Sequence, residues 1–430
     1  MATALIDRSS DTLYVCMYKV STLVFSVGDQ KISLNQSNVL SIDKTDYFEY
    51  KLRSILKVRL CIDIRQKLWI LANKSDVICK FELTKFGMDT DIENEIVGDQ
   101  NAWNQEFAVY LNDDDAAIDV EALEDELKLN SGEDFTIADT EDRDYFNGQE
   151  ILDIYLYNAS LLKPSTFRLD GICKSDTLSN IVGNIITKSK HKHVLMSPIE
   201  NSNVYSELIM PSYKAYEALV YLDQYYGLYK AGASIFYDAD GLYIINANGK
   251  STATRKKEWP ETNFLISPKS NSNPGNGMVY RQKEKTYYIN IPEDNVQPNK
   301  PSDTTKMTYG DSIQIVTTDD VKVETVGNSS NSQITYMKST DNQFASSIIE
   351  ARMNENDGVM YINGDGFDLN AFSLNKTFKL TYEDPGKQKK YGNARYRIAF
   401  AYHGLKVQTD KYMKSTHYIV LKRCSQNKSK

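Results

Sequence analysis

The chain of 430 residues has few of the residues that most often carry chemistry: four histidines, three tryptophans and five cysteines. The cysteines are odd in number and scattered, at Cys16, Cys61, Cys79, Cys173 and Cys424. Because no two of them form a C-x-x-C pair, we expect reduced, mostly buried thiols and neither disulfides nor a zinc site.

Long apolar runs are also missing. No stretch approaches the roughly 18 apolar residues that a membrane-spanning helix needs. The first twenty residues lack a basic region followed by an apolar stretch, so we expect no signal peptide. The sequence therefore predicts a protein made and used in a cytosol-like compartment, without a membrane span.

The net charge of −8 is unevenly distributed. Residues 91–146 carry nineteen acidic and two basic side chains, a local charge of −17 that leaves +9 for the rest of the chain. A dense acidic block is typical of a solvated or mobile surface insertion, and a docking site for a basic partner is the alternative. Asp113, Asp114 and Asp115 lack the spacing of a calcium-binding loop, so we interpret them as solvated charge.

Both ends of the chain have the alternation of apolar and polar residues that predicts strands. At the N-terminal end these stretches are 12–15, 23–27, 58–64, 77–81 and 151–157, and at the C-terminal end they are 376–382, 395–403 and 415–421. Alternation indicates one face in a core and one face in solvent or against a neighbour. We expect two small antiparallel barrels or sandwiches.

The middle of the chain, from Phe167, indicates an α/β insert. Residues 176–186 place four apolar side chains on one helical face, with Ser175 or Asp176 as the cap. Residues 212–245 contain eight tyrosines and predict a helix starting at Ser212 and ending at Gly227. A hairpin with a four-residue loop at 238–241 should follow.

The four histidines offer few catalytic arrangements. His191 and His193 lie in a Lys/His-rich turn and are interpreted as part of an exposed basic loop. His403 and His417 fall in neighbouring predicted strands, where they could face each other as an ordinary cross-strand pair.

Three carboxylates could imitate the pair that a glycoside hydrolase uses: Asp223, Asp238 and Asp240. Two of these, however, fill the predicted hairpin loop, where aspartate is favoured for turn geometry. Gly275-x-Gly277 and Gly364-x-Gly366 follow no strand-to-helix pattern and do not indicate phosphate loops. We therefore predict no catalytic, cofactor-binding or metal-binding residues, no cofactor, and no enzymatic activity.

Two segments carry a family resemblance. Residues 207–245, "ELIMPSYKAYEALVYLDQYYGLYKAGASIFYDADGLYII", resemble the middle domain of the central baseplate hub protein of contractile-tailed bacteriophages. That family is related to the hub part of type VI secretion spike proteins. Residues 372–423 are similar to its closing barrel strands, in which a tyrosine-rich strand leads to a histidine, here His403, and the final strand starts at a threonine, here Thr416.

The resemblance implies a structural protein of the virion tail, assembled in the host cytoplasm. Three copies, each with two tail-tube-like barrels, would form a homotrimeric ring around the DNA channel. The implied partners are the spike below, the tail tube or its initiator proteins above, and baseplate wedge proteins, with DNA passing only transiently.

The implied fold class is mainly β with an α/β insert: two small antiparallel barrels plus a helix–hairpin domain. The expected divisions are a first barrel domain at 1–165 with an acidic insertion at 93–145, an α/β domain at 166–265, a loop-rich β segment and linker at 266–345, and a second barrel domain at 346–430. A tail-associated cell-wall hydrolase and a tail-tube or adaptor protein with a single barrel are the alternative functions.

Overall fold

The computed structural model describes residues 14–47, 54–74, 76–89, 95–96, 101–111, 148–158, 164, 167–238, 241–246, 261–268, 278–281, 287–298, 310–317, 323–337, 358–372, 377–409 and 412–424. Across these residues the chain is mainly β with few helices, which confirms the predicted main class.

The first half of the strands are β1 (Tyr14–Val27), β2 (Gln30–Leu34), β3 (Val39–Tyr47), β4 (Ser54–Asp63), β5 (Ile78–Asp89), β6 (Glu95–Ile96), β7 (Asn101–Leu111), β8 (Gln149–Asn158), β9 (Arg168–Thr177), β10 (Val194–Met196), β11 (Val204–Lys214) and β12 (Ala233–Asp238). The remaining strands are β13 (Gly241–Asn246), β14 (Glu261–Ser267), β15 (Met278–Arg281), β16 (Tyr287–Pro292), β17 (Val296–Pro298), β18 (Gly310–Thr317), β19 (Val323–Met337), β20 (Met360–Asp365), β21 (Thr377–Tyr382), β22 (Tyr396–Thr409) and β23 (Tyr412–Arg423). The main helices are α1 (Ile64–Ala72), α2 (Leu178–Ser189) and α3 (Ala215–Tyr225).

Sixteen strands of the described residues join one sheet, and part of it closes on itself. The pairings run β1–β5–β7–β8–β4–β3–β22–β23 and return from β23 to β1, all antiparallel. We call this ring of strands the N-terminal circuit. Closure satisfies the backbone groups that an open sheet would leave at its edges.

A second ring of pairings, the C-terminal circuit, runs β1–β15–β16–β14–β21–β22–β23 and again returns to β1. Here β14 is parallel to both of its neighbours, β16 and β21. Strand β20 adds to β23 beyond the stretch that pairs with β1, and β17 adds to β20. The two circuits therefore have β1, β22 and β23 in common.

The antiparallel pair β22–β23, which we call the shared hairpin, contributes to two hydrophobic cores. Leu405 and Met413, towards its turn, lie in the first core with the N-terminal strands. The other end lies in the second core, with the strands of the C-terminal circuit, through Ile398, Ala401, Ile419 and Leu421. We had expected two separate β units; instead, one hairpin crosses the boundary between them.

The α/β unit, residues 167–246, has a third core of its own. Helices α2 and α3 pack on the two-stranded sheet β9–β11, and β10–β13–β12 form a separate three-stranded sheet. The four apolar residues predicted to face the core from α2, Leu178, Ile181, Val182 and Ile185, are all buried. The N-cap is Thr177, one residue beyond the predicted positions, and its hydroxyl accepts a hydrogen bond from the Asn180 amide.

Helix α3 starts later than predicted. Strand β11 continues through Lys214, whose backbone pairs with Arg168, so Ser212 belongs to the strand and does not cap the helix. The Glu217 carboxylate accepts a hydrogen bond from the Lys214 amide at the start of the helix. The end of α3 agrees with the prediction, because Gly227 has φ +73 and donates its amide to the carbonyls of the last turn.

Two further differences concern a strand and a helix that the pattern missed. The described part of the stretch 12–15 and the stretch 23–27 belong to one strand, β1. The strand is irregular near Val20, where the Val20 amide donates a hydrogen bond to Gln36 Oε1 at 2.7 Å. Helix α1 begins directly at the end of β4, where the Asp63 carboxylate accepts the Arg65 amide at 2.8 Å.

Two of the predicted segments contribute strands to the large sheet. Strand β7, within the range expected to be an acidic insertion at 93–145, pairs with β5 and β8 in the N-terminal circuit. Residues 112–147 lie outside the described part of the chain. The segment 266–345, expected to be a loop-rich β segment and linker, supplies β15, β16 and β17 to the large sheet.

Candidate functional site

The tyrosine-rich stretch at 212–245 forms α3 and the β12–β13 hairpin. Ala215, Leu219, Leu222 and Tyr226 are all buried, as their helical spacing predicts. The hairpin is tighter than predicted, because Asp238 and Gly241 pair with each other and leave two residues between them. Those two residues, 239 and 240, are outside the described part of the chain.

The β12–β13 hairpin has no solvent-facing side among its described residues, since both of its faces pack against a core. One face belongs to the third core through Ile235, Tyr237, Leu242 and Ile244. The other belongs to the second core through Phe236, Tyr243 and Ile245. Strand alternation thus lets one hairpin serve two cores.

Within the hairpin, the rings of Phe236 and Tyr243, both in the second core, stack with centroids 5.0 Å apart and an interplanar angle of 12°. A hydrogen bond strengthens the connection between the α/β unit and the C-terminal circuit. Arg397 of β22 donates from Nη1 to Ser234 Oγ of β12 at 2.6 Å. The β12–β13 hairpin is therefore buried between the core of the α/β unit and the core of the C-terminal circuit.

Tyr229 illustrates how the buried tyrosines are used. Its ring is fully buried, and its hydroxyl donates towards the carbonyls of Ser197 and Ile244. Burial raises the pKa of this hydroxyl, so it stays protonated as a donor. Tyr225, in contrast, is exposed.

We had predicted that His191 and His193 lie in an exposed basic loop. His193 is exposed, but His191 is half-buried. Its Nδ1 contacts Ser189 Oγ at 2.5 Å and its Nε2 contacts the Tyr237 hydroxyl at 2.6 Å. The Ser189 hydroxyl also bonds the Ile185 carbonyl at 2.7 Å. Burial lowers the pKa of His191 to about 4. The neutral ring thus ties the end of α2 to β12.

Asp223 is a structural carboxylate. It is fully buried, and its two oxygens accept the amides of Leu228 at 3.3 Å and Ala233 at 3.4 Å. These bonds hold the turn between α3 and the hairpin, so Asp223 is not exposed as a hydrolytic acid would need to be. Of its supposed partners, Asp238 ends β12 and Asp240 lies outside the described residues.

His403 and His417 are directly opposite each other in the shared hairpin, which confirms the predicted pairing. They are 1% and 3% exposed, and their Nδ1 atoms lie 2.7 Å apart. His417 Nε2 contacts Ser415 Oγ at 2.8 Å, and His403 Nε2 lies 3.9 Å from Asp46 Oδ2. Burial lowers the pKa of both rings well below the ordinary histidine value.

A buried ion pair that sequence reasoning missed lies where the two cores meet. Lys85 Nζ of β5 is 2.9 Å from Asp368 Oδ2, and both side chains are buried. Beside it, Tyr18 donates its hydroxyl to the Phe367 carbonyl at 3.0 Å and accepts the Leu369 amide at 2.9 Å. Leu369 lies in the first core and Phe367 in the second, so this loop bridges the two.

The glycines of the Gly364-x-Gly366 motif serve this same loop. A Cβ at Gly364 would come within 2.0 Å of the Phe367 ring. Gly366 has φ +68, and its carbonyl accepts the Cys16 amide at 3.0 Å. Both positions therefore need glycine for close packing and backbone conformation. Gly275 and Gly277, like Asp113, Asp114 and Asp115, lie outside the described residues.

The cysteines are free thiols, with Cys16, Cys79 and Cys424 buried and Cys61 and Cys173 half-buried. Among the described residues, no cluster of three or more histidine, cysteine or carboxylate side chains has the arrangement of a metal site. The helices in that part of the chain are all too short or too polar to cross a membrane.

Comparison with known proteins places the chain in a family. A family model described as "Bacteriophage PBS1 gene 109 protein" matches residues 88–424. The chain belongs to that family. The recognition of a phage tail protein related to baseplate hubs is thereby confirmed. No curated protein sequence matches the chain.

Several solved structures are similar at low sequence identity. A tail protein from Neisseria meningitidis MC58 aligns with a TM-score of 0.49 and 9% identity, covering 94% of this chain and 96% of that one. The 43 kDa tail protein of prophage MuSo2 from Shewanella oneidensis aligns with a TM-score of 0.44 and 8% identity, covering 93% and 96%. The Francisella PdpA–VgrG complex gives 0.41 and 6%, covering 95% of this chain and 53% of that one.

Proposed function

We propose that the chain is a central baseplate hub protein, three copies of which form a ring that joins the tail tube to the spike. The observation that carries the proposal is the presence of two closed strand circuits in one chain. Each circuit is interpreted as one tail-tube-like barrel. Three chains with two barrels each would offer six similar positions to a six-fold tube, and closed rings of this kind are the usual form of homo-oligomers.

The proposed domains follow the circuits. The first barrel consists of β1, β3, β4, β5, β7 and β8 with part of the shared hairpin, and the acidic residues between β7 and β8 form its insertion. The α/β unit is the second domain. The second barrel consists of β14, β15, β16 and β21 with the start of β1 and the rest of the shared hairpin. Because the hairpin belongs to both barrels, their relative position within a chain would be rigid.

The proposed partners are a spike below the ring, tube or tube-initiator proteins above it, and wedge proteins around it. DNA would pass through the channel without a firm site, since no long basic stripe with interleaved aromatics marks one in the sequence. The chain would act in the virion tail after assembly in the host cytoplasm.

Electron cryomicroscopy of the particle tests this proposal by counting copies at the tail end. We expect three copies per tail, with both circuits at the same height around a channel wide enough for DNA. Six copies would favour the single-barrel tube or adaptor protein. A map in which one circuit projects away from the ring would also refute the hub.

We further propose that the protein is not an enzyme. The buried role of Asp223 supports this, because its oxygens are used by backbone amides. Purified protein should leave peptidoglycan intact in a turbidity assay, with a phage lysozyme as the positive control. Clearing by the purified chain would support the cell-wall hydrolase instead.

A further inference from the structure

The histidine pair His403–His417 lies where the shared hairpin passes from the first core to the second. Leu405 and Met413 on one side of the pair belong to the first core, and Ala401 and Ile419 on the other side belong to the second. Both rings are almost fully buried. A change in this pair therefore acts on the boundary between the two circuits.

The contact between the two Nδ1 atoms at 2.7 Å requires one proton between them, because one ring must donate and the other must accept. The surroundings favour one order of protons. If Ser415 donates its hydroxyl to His417 Nε2, then His417 Nδ1–H donates to His403 Nδ1. The remaining proton, on His403 Nε2, then faces the Asp46 carboxylate at 3.9 Å. Both rings are neutral in this arrangement.

An additional proton is poorly accommodated. It would place a charge among the rings of Phe367 and Phe372, which lie 5.1 Å and 5.6 Å from the His417 ring, and the backbone hydrogen bond of His417 with Phe367 offsets only part of the cost of burial. On β3, the charged groups facing the pair are Lys44 and Asp46, which are already paired with each other. On the loop at 366–372, Asp368 is paired with Lys85. If both Nδ1 atoms carried a proton, the hydrogen bond between the two rings would be lost, because two N–H donors would then face each other.

We propose that the His403–His417 pair is an acid-sensitive joint, at which acidification loosens the shared hairpin at the boundary between the two cores. The inference is independent of the hub assignment. At neutral pH the pair holds the hairpin in register. As the pH falls through the range where a free histidine takes up a proton, opening of the hairpin becomes easier because the opened state binds protons that the closed state excludes.

Hydrogen exchange on the full chain tests the joint, with rates normalised to the intrinsic exchange rate at each pH. Between pH 7.5 and pH 5.0, opening at 400–405 and 415–419 should increase by about 30-fold for one excluded proton, and by more for two. A double variant, His403→Asn with His417→Asn, keeps amides that can bond across the strands but do not titrate. It should show a change of less than about threefold. His191→Asn is the matched control, and the acid-induced increase in opening at 400–405 and 415–419 should be the same in it as in the unmodified chain.

An acid-induced increase that persists in the double variant would overturn the proposal, as would its absence from the unmodified chain. Should the double variant not fold, nitrogen NMR of labelled histidine in the unmodified chain decides. In the folded chain the two joint rings should remain neutral through the pH range in which exchange increases, because only the opened state takes up protons there. Protonation of either ring near the ordinary histidine value, with no increase in exchange, would show that there is no acid-sensitive joint.

Discussion

Adjacent residues of β12 support different cores, so two neighbouring alanine substitutions should have separable effects. Phe236 is 2% exposed, lies in the second core and stacks on Tyr243. Ile235 is fully buried in the third core. From comparable buried sites, Phe236→Ala should cost about 3–5 kcal/mol and Ile235→Ala about 2–5 kcal/mol. The costs are similar, but the locations differ.

Hydrogen exchange resolves the locations where a melting temperature cannot. Phe236→Ala should accelerate amide exchange in β14 and β21 by roughly 10²- to 10⁴-fold, since each 1.4 kcal/mol corresponds to a factor of ten. Ile235→Ala should accelerate exchange in α2 and α3 instead. Each variant is the control for the other, because both remove a large apolar side chain from the same strand.

The reasoning fails if Phe236→Ala affects only the α/β unit. In that case the contacts of Phe236 with the second core would add nothing to its stability, and the β12–β13 hairpin would not join the two parts of the chain. An effect of under about 1 kcal/mol for Phe236→Ala would lead to the same conclusion.

Three more predictions concern buried groups. Leu219→Ala on the core face of α3 should cost about 2–5 kcal/mol, whereas an exposed docking stripe would leave thermal melting unchanged. The His191 ring is neutral in the folded chain at neutral pH. Its contribution to stability is therefore present above pH 6.5 and is lost as pH falls towards its folded pKa of about 4. In urea titrations, His191→Asn should lower this pH dependence of the unfolding free energy by up to about 1.4 kcal/mol per pH unit. Lys85→Met should cost about 3–5 kcal/mol in urea unfolding because it leaves the Asp368 charge buried without its ion-pair partner. Adding Asp368→Leu should recover much of that loss. No recovery would mean that the ion pair itself stabilises the junction between the two cores.

Local patterns predicted the elements whose signal lies in adjacent residues. The four buried residues of α2 and the core face of α3 follow from helical spacing alone. The opposition of His403 and His417 follows from two strong strand patterns joined by a turn. The helix α1 was missed because the alternation of β4 runs directly into it, so the change of period has no polar break to mark it.

Partners from distant segments could not be predicted in this way. Alternation shows which face of β1 is buried but not that β23 lies beside it. The pairing of Lys85 with Asp368 depends on a tertiary contact between residues 283 positions apart. The role of His191 was likewise hidden, because its partner Tyr237 lies 46 positions away and the local sequence is rich in lysine.

The pairing of β1 with β23 has a consequence during synthesis of the chain. Met17 pairs with Lys414, so the two strands are roughly 400 residues apart in sequence, and both circuits need them. At ordinary translation rates, β1 must wait on the order of 20–80 s for β23 to be made. Neither circuit can close on the ribosome until β23 has emerged. Until then β1 has an unpaired edge, and we expect a nascent chain stalled before β22 to need a chaperone to remain unaggregated.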